Sequence, residues 1–182
     1  IDVKFTAVSS CITHSIALDD EGNIWTCGDN TYGQLGLGDY LARSTFTKVI
    51  SDHIFIFISC DYSQTAVIDD EGHVWICGGN SHNLMGIHPD REGSSLFRKI
   101  LNDKKFISVL CFDFGRIGID TEGHICNLLY NLNGQIVQQT LNTKTNFIEV
   151  SCSHRNIIAL DDKGDMWTGQ MKMGSYDNLN KL

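Results

Sequence analysis

The sequence predicts an all-β fold, a β-propeller of repeated four-stranded antiparallel blades, and two observations predict it. Residues 18–25, 68–75 and 160–167 are near copies of one another, and residues 119–126 are a more divergent fourth copy. The corner glycines of these copies recur at intervals of 50, 51 and 41 residues: Gly22, Gly72, Gly123 and Gly164. A period of this length is typical of tandem propeller blades. We therefore predict about four blades.

The first copy shows why the inner strands are expected. Residues 8–10 predict one short strand and residues 14–18 a second one. Ile16 and Leu18 fall on one face of the second strand, because side chains alternate along a strand with a period of two.

The rest of the first copy predicts a turn, a returning strand, a loop and an outer strand. Residues 19–22 form the turn, in which aspartates accept hydrogen bonds and Gly22 takes a positive φ. Residues 23–27 return along the sheet. The segment 28–38 is too rich in glycine for a helix and predicts a compact loop, and residues 46–49 predict the outer strand.

We expect a single array over residues 1–182, with repeats at approximately 3–52, 53–103, 104–145 and 146–182, the last one incomplete. Certain glycines and tryptophans recur at equivalent positions of the copies. These structural repeat positions are Gly22, Trp25, Gly28, Gly33, Gly36, Gly72, Trp75, Gly78, Gly123, Gly164 and Trp167.

Composition excludes several classes of protein. The 182 residues are 42% hydrophobic and 20% charged, which indicates a globular chain. Lysine and arginine number 14 against 22 acidic residues, and the net charge of −8 argues against a nucleic-acid partner. The longest apolar run, residues 54–58, is far shorter than the roughly 20 residues of a membrane-spanning helix. We predict neither a nucleic-acid nor a membrane partner.

The seven cysteines are predicted to be unpaired. Cys27 and Cys77 share one repeat position, and Cys60, Cys111 and Cys152 share another, as expected of small hydrophobic side chains that pack between blades. No Asn-x-Ser/Thr sequence occurs, and the first residues lack the layout of a signal peptide. We therefore expect an intracellular protein, in the cytoplasm or nucleus.

No catalytic, metal or cofactor site is predicted. Cys-x-x-Cys is absent and the histidines show no paired ligand spacing, so we expect neither zinc nor a Cys-His nucleophile. The glycine-rich loop lacks the lysine of a P-loop and a following helix, so we expect no phosphate cradle.

Partner-binding residues are predicted instead, at the acidic corners and in the loops. Clustered carboxylates attract a basic partner, whereas the simpler interpretation is a solvated turn. Tyrosine and histidine side chains in loops are of the kind that anchor protein interfaces. The candidates are Asp20, Glu21, Tyr32, Asp70, Glu71 and His82, with Tyr62 and Tyr176 as further exposed tyrosines.

The first copy resembles the repeat of the regulator of chromosome condensation family. The resemblance lies in Val8, residues 14–18, Gly22, residues 24–25, Gly28, Asn30 and residues 33–38. It implies a seven-bladed propeller, which some members use as a nucleotide exchange factor for a small nuclear GTPase and others as a binding platform. The chain departs from the family pattern at Cys27 and Cys77, which replace tryptophan, and at Cys11, which replaces glycine. We see no counterpart of the exchange factor's wedge insertion or basic tail.

Four copies leave the closure of the ring open to three solutions. The chain is an arc of a larger array, or it is completed by another chain or a second copy, or residues 3–5 complete the last blade. The leading functional hypothesis is a non-enzymatic protein-interaction scaffold. The alternatives are a guanine-nucleotide exchange factor for a small GTPase and a structural component that assembles with copies of itself.

Overall fold

The computed structural model of the protein describes residues 2–80, 93–101, 104–112, 115–130, 136–142, 144–153, 156–172, 175–176 and 179–182. These residues form four antiparallel sheets, which follow one another along the chain. The predicted all-β fold of four-stranded blades is confirmed. Nowhere in the described segments is there a helix long and apolar enough to cross a bilayer.

In each of the first three sheets the strands lie side by side in chain order. The first sheet comprises β1 (Phe5–Ser10), β2 (His14–Asp19), β3 (Ile24–Gly28) and β4 (Arg43–Lys48). The second comprises β5 (Phe55–Asp61), β6 (Gln64–Asp69), β7 (Val74–Gly79) and β8 (Gly93–Ile100). The third comprises β9 (Phe106–Phe112), β10 (Gly115–Asp120), β11 (Ile125–Tyr130) and β12 (Ile136–Asn142).

The fourth sheet has the same inner part and a divided outer edge. It comprises β13 (Phe147–Ser153), β14 (Asn156–Asp161), β15 (Met166–Lys172), β16 (Ser175–Tyr176) and β17 (Asn180–Lys181). Both β16 and β17 pair with β15, at different points along it. The repeat that the sequence analysis expects to be incomplete thus has outer strands.

Strand boundaries differ from the prediction at the edges of the first sheet. β1 begins at Phe5 instead of residue 8, and a register shift lies between Phe5 and Ala7. A bulge of this kind breaks the two-residue alternation on which the sequence prediction depends. β4 spans Arg43–Lys48 instead of residues 46–49, and most of its side chains are exposed or half-buried, so it shows little hydrophobic pattern.

A hydrophobic core lies between each pair of successive sheets. In the first core, Ile16 and Leu18 of β2 pack against Phe55 and Ile58 of β5. The second core joins the second and third sheets, and the third core joins the third and fourth. Burial of the strand faces between neighbours is therefore what holds the sheets in an arc.

The first sheet has a free face. Phe5 and Val8 are 44% and 77% exposed, whereas Phe55 and Ile58, at the equivalent positions of the second sheet, are 3% and 7% exposed. A preceding sheet covers that face in the second sheet, and among the described residues none covers it in the first. The structure is therefore a partial propeller. Because β1 belongs to the first sheet, the closure in which residues 3–5 complete the last blade is wrong.

The corners between the second and third strands of each sheet are built around one buried aspartate. In the first corner, one carboxylate oxygen of Asp19 accepts hydrogen bonds from the backbone N–H groups of Glu21 and Asn23, at 3.1 and 2.7 Å. The other oxygen accepts the Nε1–H of Trp25 at 2.9 Å. The same Trp–Asp bond recurs at Trp75–Asp69 and Trp167–Asp161, which explains why these tryptophans repeat.

The third corner uses a substitute for tryptophan. Cys126 occupies the tryptophan position, and the Nζ of Lys104 lies 2.6 Å from the buried carboxylate of Asp120. Burial alone would raise the pKa of the four corner carboxyls, but their hydrogen bonds outweigh it and lower the pKa of each one: Asp19, Asp69, Asp120 and Asp161.

Each of the first three corners also forms a backbone hydrogen bond with the next sheet. The carbonyl oxygens of Gly22, Gly72 and Gly123 accept hydrogen bonds from the amides of Phe55, Phe106 and Phe147, at 2.8–2.9 Å. The repeat glycines with positive φ are Gly22, Gly28, Gly33, Gly36, Gly72, Gly78, Gly123 and Gly164. At Gly33 a Cβ would lie 2.5 Å from the Cα of Ser95, so this glycine lets the loop of the first sheet pack directly on β8.

Candidate functional site

The predicted binding residues lie at two opposite ends of the sheets. We call the edge that carries the corners at residues 19–22 and 69–72 the turn end. The loop end is the opposite edge, which carries the β1–β2 turn at residues 11–13 and the loop at residues 29–42. Since β2 runs from His14 at the loop end to Asp19 at the turn end, the two sets of residues cannot form one surface.

The turn end holds the acidic candidates. Asp20, Glu21, Asp70 and Glu71 are all exposed there, and Glu122 and Asp162 occupy equivalent positions of the later corners. The first aspartate of each corner is buried inside the turn, so it contributes to folding and not to a binding surface. Fewer corner carboxylates are therefore exposed than the acidic sequence of the corners indicates.

The loop end holds the predicted Tyr32 and Tyr62, and the structure adds Ile12, Tyr40 and Leu41. Exposed aromatic and aliphatic side chains at this end of the first two sheets are Ile12, Tyr32, Tyr40, Leu41 and Tyr62. Asn30 fixes the loop, because its Nδ2 group donates to the carbonyl oxygens of Asp39 and Leu41 at 2.9 and 3.1 Å. His82 and the side chain of Tyr176 lie outside the described part of the structure.

A cluster of two cysteines and one histidine lies between the first two sheets, also at the loop end. The Sγ of Cys11 lies 3.1 Å from the Nδ1 of His14. Cys60, on β5 of the second sheet, adds a second sulfur, and the three donor atoms all lie within 4.8 Å of one another. His14 is buried, and both cysteines are half-buried.

The hydrogen-bond partners of His14 determine its tautomer. The hydroxyl of Thr65 donates to the carbonyl oxygen of Gln34 at 2.6 Å, which uses its one proton. The Nε2 of His14 lies 2.8 Å from that hydroxyl oxygen, so Nε2 carries a proton and donates it. The Nδ1 atom, 3.1 Å from the Sγ of Cys11, is therefore the unprotonated nitrogen and the acceptor of the neutral ring.

Hydrogen bonding separates the acidities of the two thiols. Interaction with the neighbouring thiol of Cys60 lowers the pKa of Cys11, although partial burial opposes the shift. The same interaction, together with burial, raises the pKa of Cys60. Cys11 is the thiol that ionises first.

The backbone beside the cluster is strained. Tyr62 has φ of +32°, an uncommon conformation for a residue that is not glycine. Its carbonyl oxygen accepts a hydrogen bond from the hydroxyl of Thr13 at 2.5 Å. This bond joins the β1–β2 turn of the first sheet to the β5–β6 turn of the second.

The sequence analysis missed this cluster. It searched for Cys-x-x-Cys and for paired histidines, whereas the motif present is Cys11-x-x-His14. The second sulfur, Cys60, comes from the following repeat, so no short spacing reveals it. The replacement of the family glycine by Cys11 was the signal available in the sequence.

A related contact joins the next two sheets with different residues. Gln64 occupies the His14 position in the second sheet, and its Oε1 accepts a hydrogen bond from the Nη2 of the buried Arg116 at 2.6 Å. A polar bond between sheets is therefore a repeated structural feature at this position. The pair of thiols beside His14, those of Cys11 and Cys60, lies at the junction of the first and second sheets.

Protein-family models match the first part of this chain. The family model described as the regulator of chromosome condensation (RCC1) repeat matches residues 21–68, and a second model of the same description matches residues 5–34. The RCC2 homolog of Xenopus laevis is 34% identical over 68 residues, which are 36% of this chain and 13% of that protein. Together the two RCC1 repeat models match residues 5–68. The match to the curated relative covers only a small part of that protein's length.

Solved structures share the fold of the whole arc. Human WBSCR16 superimposes with a TM-score of 0.84 at 19% identity, over 100% of this chain and 54% of that one. Prp20p of Saccharomyces cerevisiae superimposes with a TM-score of 0.75 at 13% identity, over 98% of this chain and 50% of that one. These likenesses show the fold. The chain spans about half the length of either protein.

Proposed function

We propose that this chain is a non-enzymatic interaction module that binds a protein partner at its loop end. The observation that carries the proposal is the group of exposed side chains at that end: Ile12, Tyr32, Tyr40, Leu41 and Tyr62. Tyrosine is among the residues that contribute most of the binding energy of protein interfaces, and apolar side chains around it exclude water from the contact.

Neighbours in the RCC1 repeat family support a protein partner. The structure of Prp20p is described together with its binding properties to Gsp1p and histones, and yeast RCC1 is known in a complex with Kap60. Those partners belong to those proteins. For this chain they support a binding role for the propeller, inside the cell as the unpaired cysteines predict.

The loop end can be distinguished from the turn end by matched variants. We suggest capturing the partner by photo-crosslinking from position 40, identifying it, and measuring its affinity for the purified chain. Tyr40→Ala and Leu41→Ala change exposed side chains and leave the core intact. We expect each to weaken binding about 10-fold, and the two together about 30-fold or more.

The control is the pair Glu21→Gln and Glu71→Gln at the turn end, for which we expect less than a threefold change in the equilibrium affinity. The opposite pattern, with loss of binding only in the turn-end variants, would transfer the interface to the acidic corners. It would support the basic partner that the acidic corners predict.

Nucleotide exchange on a small GTPase remains the alternative that the family resemblance implies. The likeness to Prp20p, at 13% identity, supports the fold and not this activity. Release of labelled nucleotide from a panel of small GTPases tests it, since acceleration would make this chain an exchange factor. Self-assembly through the free face of the first sheet is tested by the mass in solution, because a strict monomer excludes it.

A further inference from the structure

We propose that Cys11, His14 and Cys60 form a zinc site that clamps the first two sheets together at the loop end. Thiolate sulfur and imidazole nitrogen are the ligands that zinc prefers, and the three donor atoms already lie within 4.8 Å of one another. Ligand atoms around a tetrahedral zinc lie about 3.6–3.8 Å apart, as follows from its bond lengths of about 2.3 Å to sulfur and 2.0 Å to nitrogen. Shifts of about 1 Å or less therefore suffice.

The charges of the three ligands match the metal. Zinc binding requires both thiols to lose their protons, while His14 ligates as a neutral ring. Two thiolates and one divalent cation leave a site without net charge, which lowers the cost of placing it between two packed sheets. Cys11 and Cys60 are half-buried residues, so the cluster does not lie deep in the core.

The orientation of His14 is the strongest support. A metal-binding histidine usually donates its other ring N–H to a protein acceptor, which fixes the tautomer and the ring. Here Nε2–H donates to Thr65, whose own proton is held by the carbonyl of Gln34. The lone pair of Nδ1 thus faces the Sγ of Cys11 before any ion arrives, with the sulfur of Cys60 in the same cluster, and the fourth position is left for water.

The simpler interpretation is that His14 only joins two sheets, as Gln64 does at the next junction. That interpretation accounts for the bond to Thr65 but not for the two sulfurs next to Nδ1. The Cys11 position is occupied by Asp61, Phe112 and Ser153 in the other copies, so cysteine and histidine coincide only in the first one. The difference between the two interpretations is measurable.

The test uses the reduced full chain, stripped with a chelator, and titration with zinc and with cobalt. We expect one equivalent of metal per chain and a cobalt spectrum with thiolate charge-transfer bands. Zinc in 100-fold excess over its Kd raises the Tm by roughly 5–10 °C. Cys11→Ser, Cys60→Ser and His14→Gln each weaken zinc binding about 100-fold or more, and Thr65→Val weakens it about 10- to 100-fold.

Two controls keep the result interpretable. Cys27→Ser removes a half-buried thiol outside the cluster and leaves the metal affinity unchanged. His14→Gln places at this position the residue that the second sheet uses, so the variant is expected to fold, and circular dichroism of the metal-free form checks it. Zinc binding that survives the combined change Cys11→Ser and Cys60→Ser would overturn the proposal. So would a stoichiometry below one, or a fully reduced chain without metal affinity.

Discussion

The most informative single change is Asp69→Asn, at the centre of the second corner. One carboxylate oxygen of Asp69 accepts the N–H groups of Glu71 and His73, and the other accepts the Nε1–H of Trp75 at 2.8 Å. Asparagine keeps one acceptor oxygen, but its NH2 group replaces the oxygen that accepts the indole N–H of Trp75. Two donors then face each other. The side chain keeps its size, so the change removes the charge and alters the hydrogen bonds, including the contact between Oδ2 and the Nδ1 of His73 at 3.3 Å.

The expected cost follows from these contacts. A hydrogen bond to a charged group contributes about 1.5–3 kcal/mol, and a buried donor left without an acceptor costs about 1–3 kcal/mol. Because Asp69 is buried, we expect a loss of about 2–4 kcal/mol in the free energy of unfolding. For a chain of this length that corresponds to a fall in Tm of roughly 5–15 °C.

Urea unfolding followed by circular dichroism at pH 7 measures the effect. Asp70→Asn is the control, because it makes the same chemical change at the exposed neighbour and is expected to stay within about 0.5 kcal/mol of the wild type. Adding Trp75→Phe to Asp69→Asn removes the opposing donor, and we expect a favourable coupling of about 1–2 kcal/mol. A loss below 0.5 kcal/mol for Asp69→Asn, or no coupling, would refute the role assigned to the buried aspartate.

Three further predictions concern the same architecture. Lys104→Met leaves the buried carboxylate of Asp120 without its ammonium partner, so we expect a loss of about 1.5–3 kcal/mol in the same unfolding assay. Gly78→Ala places a Cβ 2.1 Å from the carbonyl oxygen of Ser63, whereas Gly164→Ala meets nothing within 4 Å; we expect about 1–2 kcal/mol for Gly164→Ala and at least about 3 kcal/mol for Gly78→Ala, and equal losses would contradict the packing. Because the pKa of each corner carboxyl is lowered in the folded protein, their stabilisation is complete above about pH 4 and is lost as the pH falls through the folded pKa values. The free energy of unfolding should decrease below pH 4, and an increase there would show that the corner carboxylates do not stabilise the fold.

The repeated parts of the fold were predictable from sequence because each one is a local motif. A corner such as residues 19–25 contains its own aspartate, glycine and tryptophan, so its geometry depends on neighbours within six residues. Because the motif occurs in three near copies and one more divergent copy, each copy supports the structure predicted from the others. The inner strands and the corner glycines therefore follow from the sequence alone.

The features that sequence reasoning missed depend on contacts between repeats. The sequence does not show whether the acidic candidates and Tyr32 share one surface. The direction of β2 places them at opposite ends of the sheet. The start of β1 was missed because the register shift between Phe5 and Ala7 interrupts the alternation. Cys60 approaches Cys11 only when two sheets pack together, and no spacing rule covers a pair drawn from different repeats.

The central claim is that successive repeats pack as neighbouring sheets, and amide hydrogen exchange tests it most directly. The amides of Phe55, Phe106 and Phe147 each donate to the corner glycine of the preceding sheet. We predict that all three exchange at least about 100-fold more slowly than the exposed amide of Asp52, which precedes the second sheet. Exchange of all three at the rate of an unstructured chain would show that the sheets do not pack in this arc.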